Sequence, residues 1–212
     1  MDMAHARSKL IQQLAYEIRD QQVLEVMGRV PRELFIPPSS QHLAYENTPL
    51  PIEMEQTISQ PFIVALMTQA LALKGREKVL EVGTGSGYQA AILCEMARWV
   101  VTVERHRMLI DKAKEVMALL NYKNVEFHFA EKTLGWQMGA PYDAIVVTAA
   151  APNVPQELLD QLAVEGRLVI PVGTPFEQDL IRVVKHKNGQ DSTNLGSCRF
   201  VPLIGESAWA VD

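Results

Sequence analysis

From residue 78 to residue 172 the chain alternates short, mostly apolar runs with longer stretches of helical period, and this alternation leaves few architectures open. Residues 78–82, 99–103, 125–129, 143–148 and 167–172 read as strands, and helices are predicted over 86–97, 107–120 and 156–162. Runs such as Ala144-Ile145-Val146-Val147 show no polar alternation, so both of their faces must be covered. Strand and helix in regular succession, with covered strands, specify an α/β protein with a Rossmann-like, doubly wound, mostly parallel sheet.

Upstream of that core, Leu10, Ile11, Leu14, Ile18, Leu24 and Met27 recur mostly at three- and four-residue intervals, which predicts an amphipathic helical region over 8–30. Pro31, Pro37, Pro38, Pro49 and Pro51 then forbid any long element, so 31–58 reads as short helical turns and ordered loop. Ser59-Gln60-Pro61 precedes the stripe Phe62, Ile63, Leu66, Met67, Ala70, Leu71; a capping hydroxyl, an early proline and a helical period predict a helix beginning at Ser59. Past Gly173 the helical period is lost, and 180–186 and 199–203 read as two strands flanking a polar loop, 187–196. A single domain over 1–212 is expected: a helical region to 75, a ligand-binding core over 76–173, and C-terminal strands.

The first core strand runs directly into Glu81-Val82-Gly83-Thr84-Gly85-Ser86-Gly87-Tyr88 and then a helix. Glycines at such a turn let the backbone reverse and let a ligand come close to helix-terminal amides. A dinucleotide fingerprint requires Gly or Ala where Tyr88 stands, which argues against a nicotinamide cofactor. The pattern Gly83-x-Gly85-x-Gly87 after the acidic Glu81 resembles motif I of S-adenosylmethionine-dependent methyltransferases. Glu104 ends the second strand 21 residues after Gly83, close to the spacing of about 20 at which a carboxylate takes ribose hydroxyls. Glu81, Gly83, Thr84, Gly85, Ser86, Gly87, Glu104 and the adjacent Arg105 are therefore the candidate cofactor-binding residues.

Twenty Lys and Arg against 25 Asp and Glu give a net charge of −5, so nothing favours a nucleic-acid backbone as partner. The first residues are interrupted by Arg7, Lys9, Gln12 and Gln13, unlike a secretory signal, and no apolar run is long enough to span a bilayer. Cys94 and Cys198 lack metal-ligand spacing and read as free thiols of a reducing, cytoplasmic compartment. His5, His42, His106, His128 and His186 are scattered, so no metal is expected, and Trp99, Trp136 and Trp209 read as packing residues.

Over nearly its whole length the chain resembles the protein-L-isoaspartate (D-aspartate) O-methyltransferase family. The resemblance is carried by Val30-Pro31-Arg32-Glu33-Leu34-Phe35-Ile36-Pro37, by Gln56-Thr57-Ile58-Ser59-Gln60-Pro61, by the glycine turn, by Gly166-Arg167-Leu168-Val169-Ile170-Pro171 and by Phe200-Val201-Pro202-Leu203. The glycine turn marks only the superfamily, whereas Thr-Ile-Ser-Gln-Pro and Phe-Val-Pro-Leu are much more specific. The chain departs from the pattern at Glu53 and Glu55, where the family usually carries glycine, and at Ala130-Glu131-Lys132, where it usually shows Gly-Asp-Gly.

The resemblance implies S-adenosyl-L-methionine as cofactor and isoaspartyl-containing peptides and proteins as acceptors; a monomer is expected. It implies methylation of the α-carboxyl freed when an aspartyl linkage shifts to the side chain, then closure of the ester to a succinimide whose hydrolysis partly restores aspartate. Ser59 is expected to position the acceptor carboxylate, with Thr57, Ile58 and Gln60 shaping the peptide site, and Glu131 with Lys132 to meet the adenine. A carboxyl with a pKa of about 3 to 4 is already ionised at neutral pH, so no general base is expected. Two alternatives stand beside this reading: a methyltransferase of the same fold acting on a small molecule or RNA, and a cofactor-binding protein without isoaspartyl transfer.

Overall fold

Acidic caps and helical spacing organise the first thirty residues. The computed structural model, which describes residues 2–130 and 133–209, has α1 at Met3–Leu14 and α2 at Gln21–Arg29. Asp2 accepts the amides of Ala4 and His5, and Asp20 those of Gln22 and Val23, so each helix begins with free donors satisfied. Leu10 and Leu14 of α1 and Val23, Leu24, Val26 and Met27 of α2 are buried. The helical region expected over 8–30 is thus two helices, the second opened by its own cap.

The prolines act as expected: Arg32–Phe35 and Pro38–Leu43 are short 3-10 turns. Two elements of two residues each, β1 at Leu50–Pro51 and β2 at Thr57–Ile58, pair antiparallel as a small hairpin too short to leave a period in the sequence. α3 spans Pro61–Leu71 with Gln60 at the cap position. The helix therefore starts at the proline and not at Ser59, because the ring pre-sets φ and lacks the N–H a first turn leaves free. Asn47 Oδ1, from a distant loop, accepts the Phe62 amide at 3.0 Å.

Seven strands form the central sheet: β3 (Lys78–Val82), β4 (Trp99–Glu104), β5 (Val125–Phe129), β6 (Tyr142–Val147), β7 (Leu162–Gly173), β8 (Gln178–His186) and β9 (Gly189–Cys198). Their order is β5-β4-β3-β6-β7-β8-β9, parallel from β5 through β7 and antiparallel for the last two pairings. α4 (Tyr88–Met96), α5 (Arg107–Leu119) and α6 (Gln156–Gln161) connect the parallel strands. The last strand corrects the sequence reading. Most of 187–196, expected as polar loop, belongs to β9 at Gly189–Cys198, while 199–203, expected as a strand, contribute only a bridge from Pro202 to Ala150. β9 is an edge strand exposed along most of its length, so it carries no apolar alternation to read.

Successive side chains of the strands enter two cores. Val79, Val100, Ala144, Val146 and Val169 pack with residues of α1 to α4, whereas Leu80, Val82, Val101, Val103, Ile145, Val147, Leu168 and Ile170 pack with Leu158 and Leu159 on the opposite face. Arg167 donates to the carbonyls of Leu71 and Ala72 at 2.8 and 3.2 Å, and Arg182 to that of Ala70 at 2.8 Å, so cations from β7 and β8 close the C-terminal end of α3. That clamp ties the segment ahead of α3 to the sheet. Among the described residues no helix is long and apolar enough to cross a membrane.

Candidate active site

The chain leaves β3 toward β4 on one side and returns on the other as β6, so a crevice opens at the C-terminal ends of β3 and β6, where sheets of this kind bind ligands. The glycine turn lies in that crevice. The Val103 carbonyl accepts the amides of Gly83 and Thr84 at 2.9 and 3.2 Å, which fastens the turn to β4. Gly83 holds φ 100°, and a Cβ there would lie 2.3 Å from Thr148 Oγ1. Gly85, at φ 52°, has nothing within 4 Å of the place a Cβ would take. Side-chain absence at Gly83 thus serves the fold, and at Gly85 it leaves open space for a ligand to approach the backbone.

Glu104 is 6% exposed at the end of β4. Its Oε2 accepts the Gly85 amide at 3.0 Å and its Oε1 the His106 amide at 2.9 Å, which holds the carboxylate still and leaves each oxygen free to accept from a diol. Glu81 is different. It is fully buried, Oε2 accepts the Thr102 hydroxyl at 2.5 Å, and Oε1 has no partner among the described residues. Thr102 shares a 2.6 Å hydrogen bond with Thr84. Burial pushes the Glu81 carboxyl up to about 8, the Glu104 charge adds to the rise and the Thr102 bond opposes it, so at neutral pH Glu81 is mainly the neutral acid.

A cavity of about 340 Å³ runs from this turn to the segment ahead of α3. It is lined by Thr57, Ile58 and Ser59 on one side and by Gly83, Thr84, Gly85, Ser86, Glu104 and Arg105 on the other, so residues far apart in sequence share one space. Three candidates lie off its wall. Gln60 turns away and donates to the Asn47 carbonyl at 3.0 Å, Glu81 sits beneath the turn, and Gly87 is buried where a Cβ would come 3.0 Å from that of Ala113. Glu131 and Lys132 fall outside the described residues, while Ala130 and Thr133 on either side of them line the cavity.

Several wall residues escaped sequence reasoning. Thr148 caps the crevice from β6, donating to the Gly83 carbonyl at 2.6 Å, and Leu134 and Gly135 form a loop over it. That loop is fixed by Gln161, which accepts the Trp136 amide and donates to the Leu134 carbonyl, both at 2.8 Å, and by Glu157, which accepts the Leu134 amide at 3.0 Å. A lone Gln in a helix gives no signal for such a role. Val201, Pro202, Leu203 and Ile204 complete the wall. Phe-Val-Pro-Leu was legible as a motif, but its place beside Ala150 depends on the turn after β9.

A parallel sheet with a Gly-x-Gly-x-Gly turn, a second-strand carboxylate held against it and an open approach at Gly85 defines an S-adenosylmethionine-dependent methyltransferase. Residues 5–208 match the model of the protein-L-isoaspartate(D-aspartate) O-methyltransferase family, and the chain belongs to that family. The protein-L-isoaspartate O-methyltransferase of Geobacter metallireducens is 49% identical over 212 residues, covering 100% of this chain and 98% of that one. The enzyme of that name from Desulfosudis oleivorans is 53% identical over 192 residues, 91% of this chain and 87% of that one. Among solved structures, a protein-L-isoaspartate O-methyltransferase superposes with TM-score 0.83 at 29% identity, covering 95% of this chain and 67% of that one. A Plasmodium falciparum protein assigned to the same activity, solved with S-adenosyl-L-homocysteine, gives 0.80 at 28% identity over 92% of this chain and 96% of that one.

Proposed function

We propose that the protein methylates the α-carboxyl of L-isoaspartyl residues in damaged proteins, acting as a cytoplasmic monomer in which residues 1–212 form one catalytic domain. The observation that supports this reading most is the single cavity shared by the glycine turn with Glu104 and by Thr57, Ile58 and Ser59. S-adenosylmethionine, when bound, supplies an electrophilic methyl that the acceptor carboxylate oxygen takes as the methyl–sulfur bond breaks and its electron pair stays on sulfur. Carboxylate and sulfonium charges cancel and no proton moves, so this chain needs no base at the acceptor. Glu104 holds the ribose hydroxyls, and Gly83 to Ser86 bring backbone close to the cofactor. By the family pattern Glu131, with Lys132 next to it in sequence, meets the adenine amino group, and Arg105 lines the cavity. Ser59 donates its hydroxyl to the acceptor carboxylate and fixes the angle at which it meets the methyl, while Ile58 and Leu203 limit water around the reacting charges. Gln60, bonded to Asn47, supports this segment from behind. A net charge of −5 favours a protein over a nucleic acid as acceptor.

Transfer of labelled methyl to an isoaspartyl peptide and to its aspartyl twin tests the reading. Methylation of the first alone is expected. Equal labelling of both, or of neither while S-adenosylhomocysteine binds, would return weight to a small-molecule or RNA acceptor.

A further inference from the structure

The β1–β2 hairpin closes through a four-residue turn in which the Gln56 amide returns to the Glu53 carbonyl at 3.2 Å. Its central residues, Met54 and Glu55, hold φ 58° and 57°. Hairpin turns of this sign favour Asn-Gly, because glycine adopts positive φ without a Cβ clash. Met and Glu occupy them here, so side chains are kept where the backbone disfavours them.

The two carboxylates of the turn part company. Glu53 pairs with Lys112 of α5, whose hydrogen bond lowers the Glu53 carboxyl below its ordinary range and anchors the hairpin to the cofactor side of the fold. Glu55 lines the cavity mouth with Gln56, Thr57 and Ser59 and makes no ion pair among the described residues. The other described charges on the wall are Arg105 and Glu104, and Glu104 is held by the amides of Gly85 and His106. A free negative charge next to a site for a carboxylate works against the acceptor group itself. It is compensated when the flanking part of the acceptor brings a cation.

We propose that Glu55 is a specificity determinant that favours acceptor peptides with Lys or Arg beside the isoaspartyl residue and disfavours those with a further carboxylate there. The inference rests on the isoaspartyl reading of the site. The test is kcat/KM for three isoaspartyl peptides identical except for Lys, Ala or Glu at the flanking position, at low and high salt. The order Lys above Ala above Glu is expected, spanning about three- to tenfold at low salt and shrinking as salt screens the pair. Glu55→Gln should bring the ratio close to one with S-adenosylhomocysteine affinity unchanged by calorimetry, and Glu55→Asp should keep the order. Equal rates for the three peptides, or an unchanged ratio in Glu55→Gln, overturn this inference alone. If no isoaspartyl peptide is methylated, the reading of function falls and takes this inference with it.

Discussion

Thr148 donates its hydroxyl to the Gly83 carbonyl at 2.6 Å, and the same oxygen stands 2.3 Å from where a Gly83 side chain would begin. The end of β6 and the glycine turn are thus in contact with no room between them, while two residues further on Gly85 faces open space. The glycines of one motif answer to different demands, and substitution separates them.

Gly83→Ala should be destabilised by about 2–5 kcal/mol, since a left-handed backbone and a clash with Thr148 act together. Gly85→Ala should lose only about 1 kcal/mol of stability, the cost of a left-handed side chain, yet bind S-adenosylhomocysteine markedly more weakly because the methyl enters the ligand's space. Urea unfolding and calorimetry on both variants check the pair. An early-melting Gly85→Ala that binds normally would reverse the assignment.

For Ser59 the structure removes the competing role, because Gln60 holds the cap position and Asn47 meets the Phe62 amide. Ser59→Ala should then leave the melting temperature nearly unchanged and lower methylation of an isoaspartyl peptide about tenfold or more through lost alignment. A variant that melts early and methylates normally would leave Ser59 as structure only.

Glu104→Ala should weaken S-adenosylhomocysteine binding by about 1–3 kcal/mol, the range for hydrogen bonds to a charged group. Part of that loss is the Gly85 amide, which would no longer be held. Unchanged affinity with intact circular dichroism would take Glu104 out of the site.

How much of this was legible beforehand divides along physical lines. β3 and β5 have the residue bounds expected of them, because a short run of strand-forming residues flanked by turn residues is a local signal. The glycine turn and Glu104 were legible because their spacing along the chain mirrors their spacing in the fold. β9 was not, since its exposed residues carry no pattern, and Gln161 was not, since its partners lie 25 and 27 positions away. Glu81 looked like a cofactor ligand by position. Only burial shows it beneath the wall, bonded to Thr102.

That burial gives a pH dependence. A carboxyl whose folded pKa is raised from 4.5 to about 8 binds more protons in the native than in the unfolded state between those values. Its contribution to stability is therefore full below about 4.5 and is lost as pH rises toward about 8, by on the order of 3–5 kcal/mol. Glu81→Gln, which mimics the protonated acid, should flatten the difference between unfolding free energies measured at pH 5.5 and 8.5. Parallel pH curves for the two proteins would show that Glu81 ionises at its ordinary pKa.

The cavity is walled by residues 55–59, by the turn at 83–86 and by 201–204, so its first and last contributors lie nearly 150 positions apart. On a growing chain the sheet through β7 can assemble while one side of the pocket is still unsynthesised. Closure of the pocket thus waits on residues 201–204, which are made after every strand of the sheet. A chain cut or stalled between β9 and Val201 would hold the glycine turn and the 55–59 segment but leave the pocket open on the side that residues 201–204 wall.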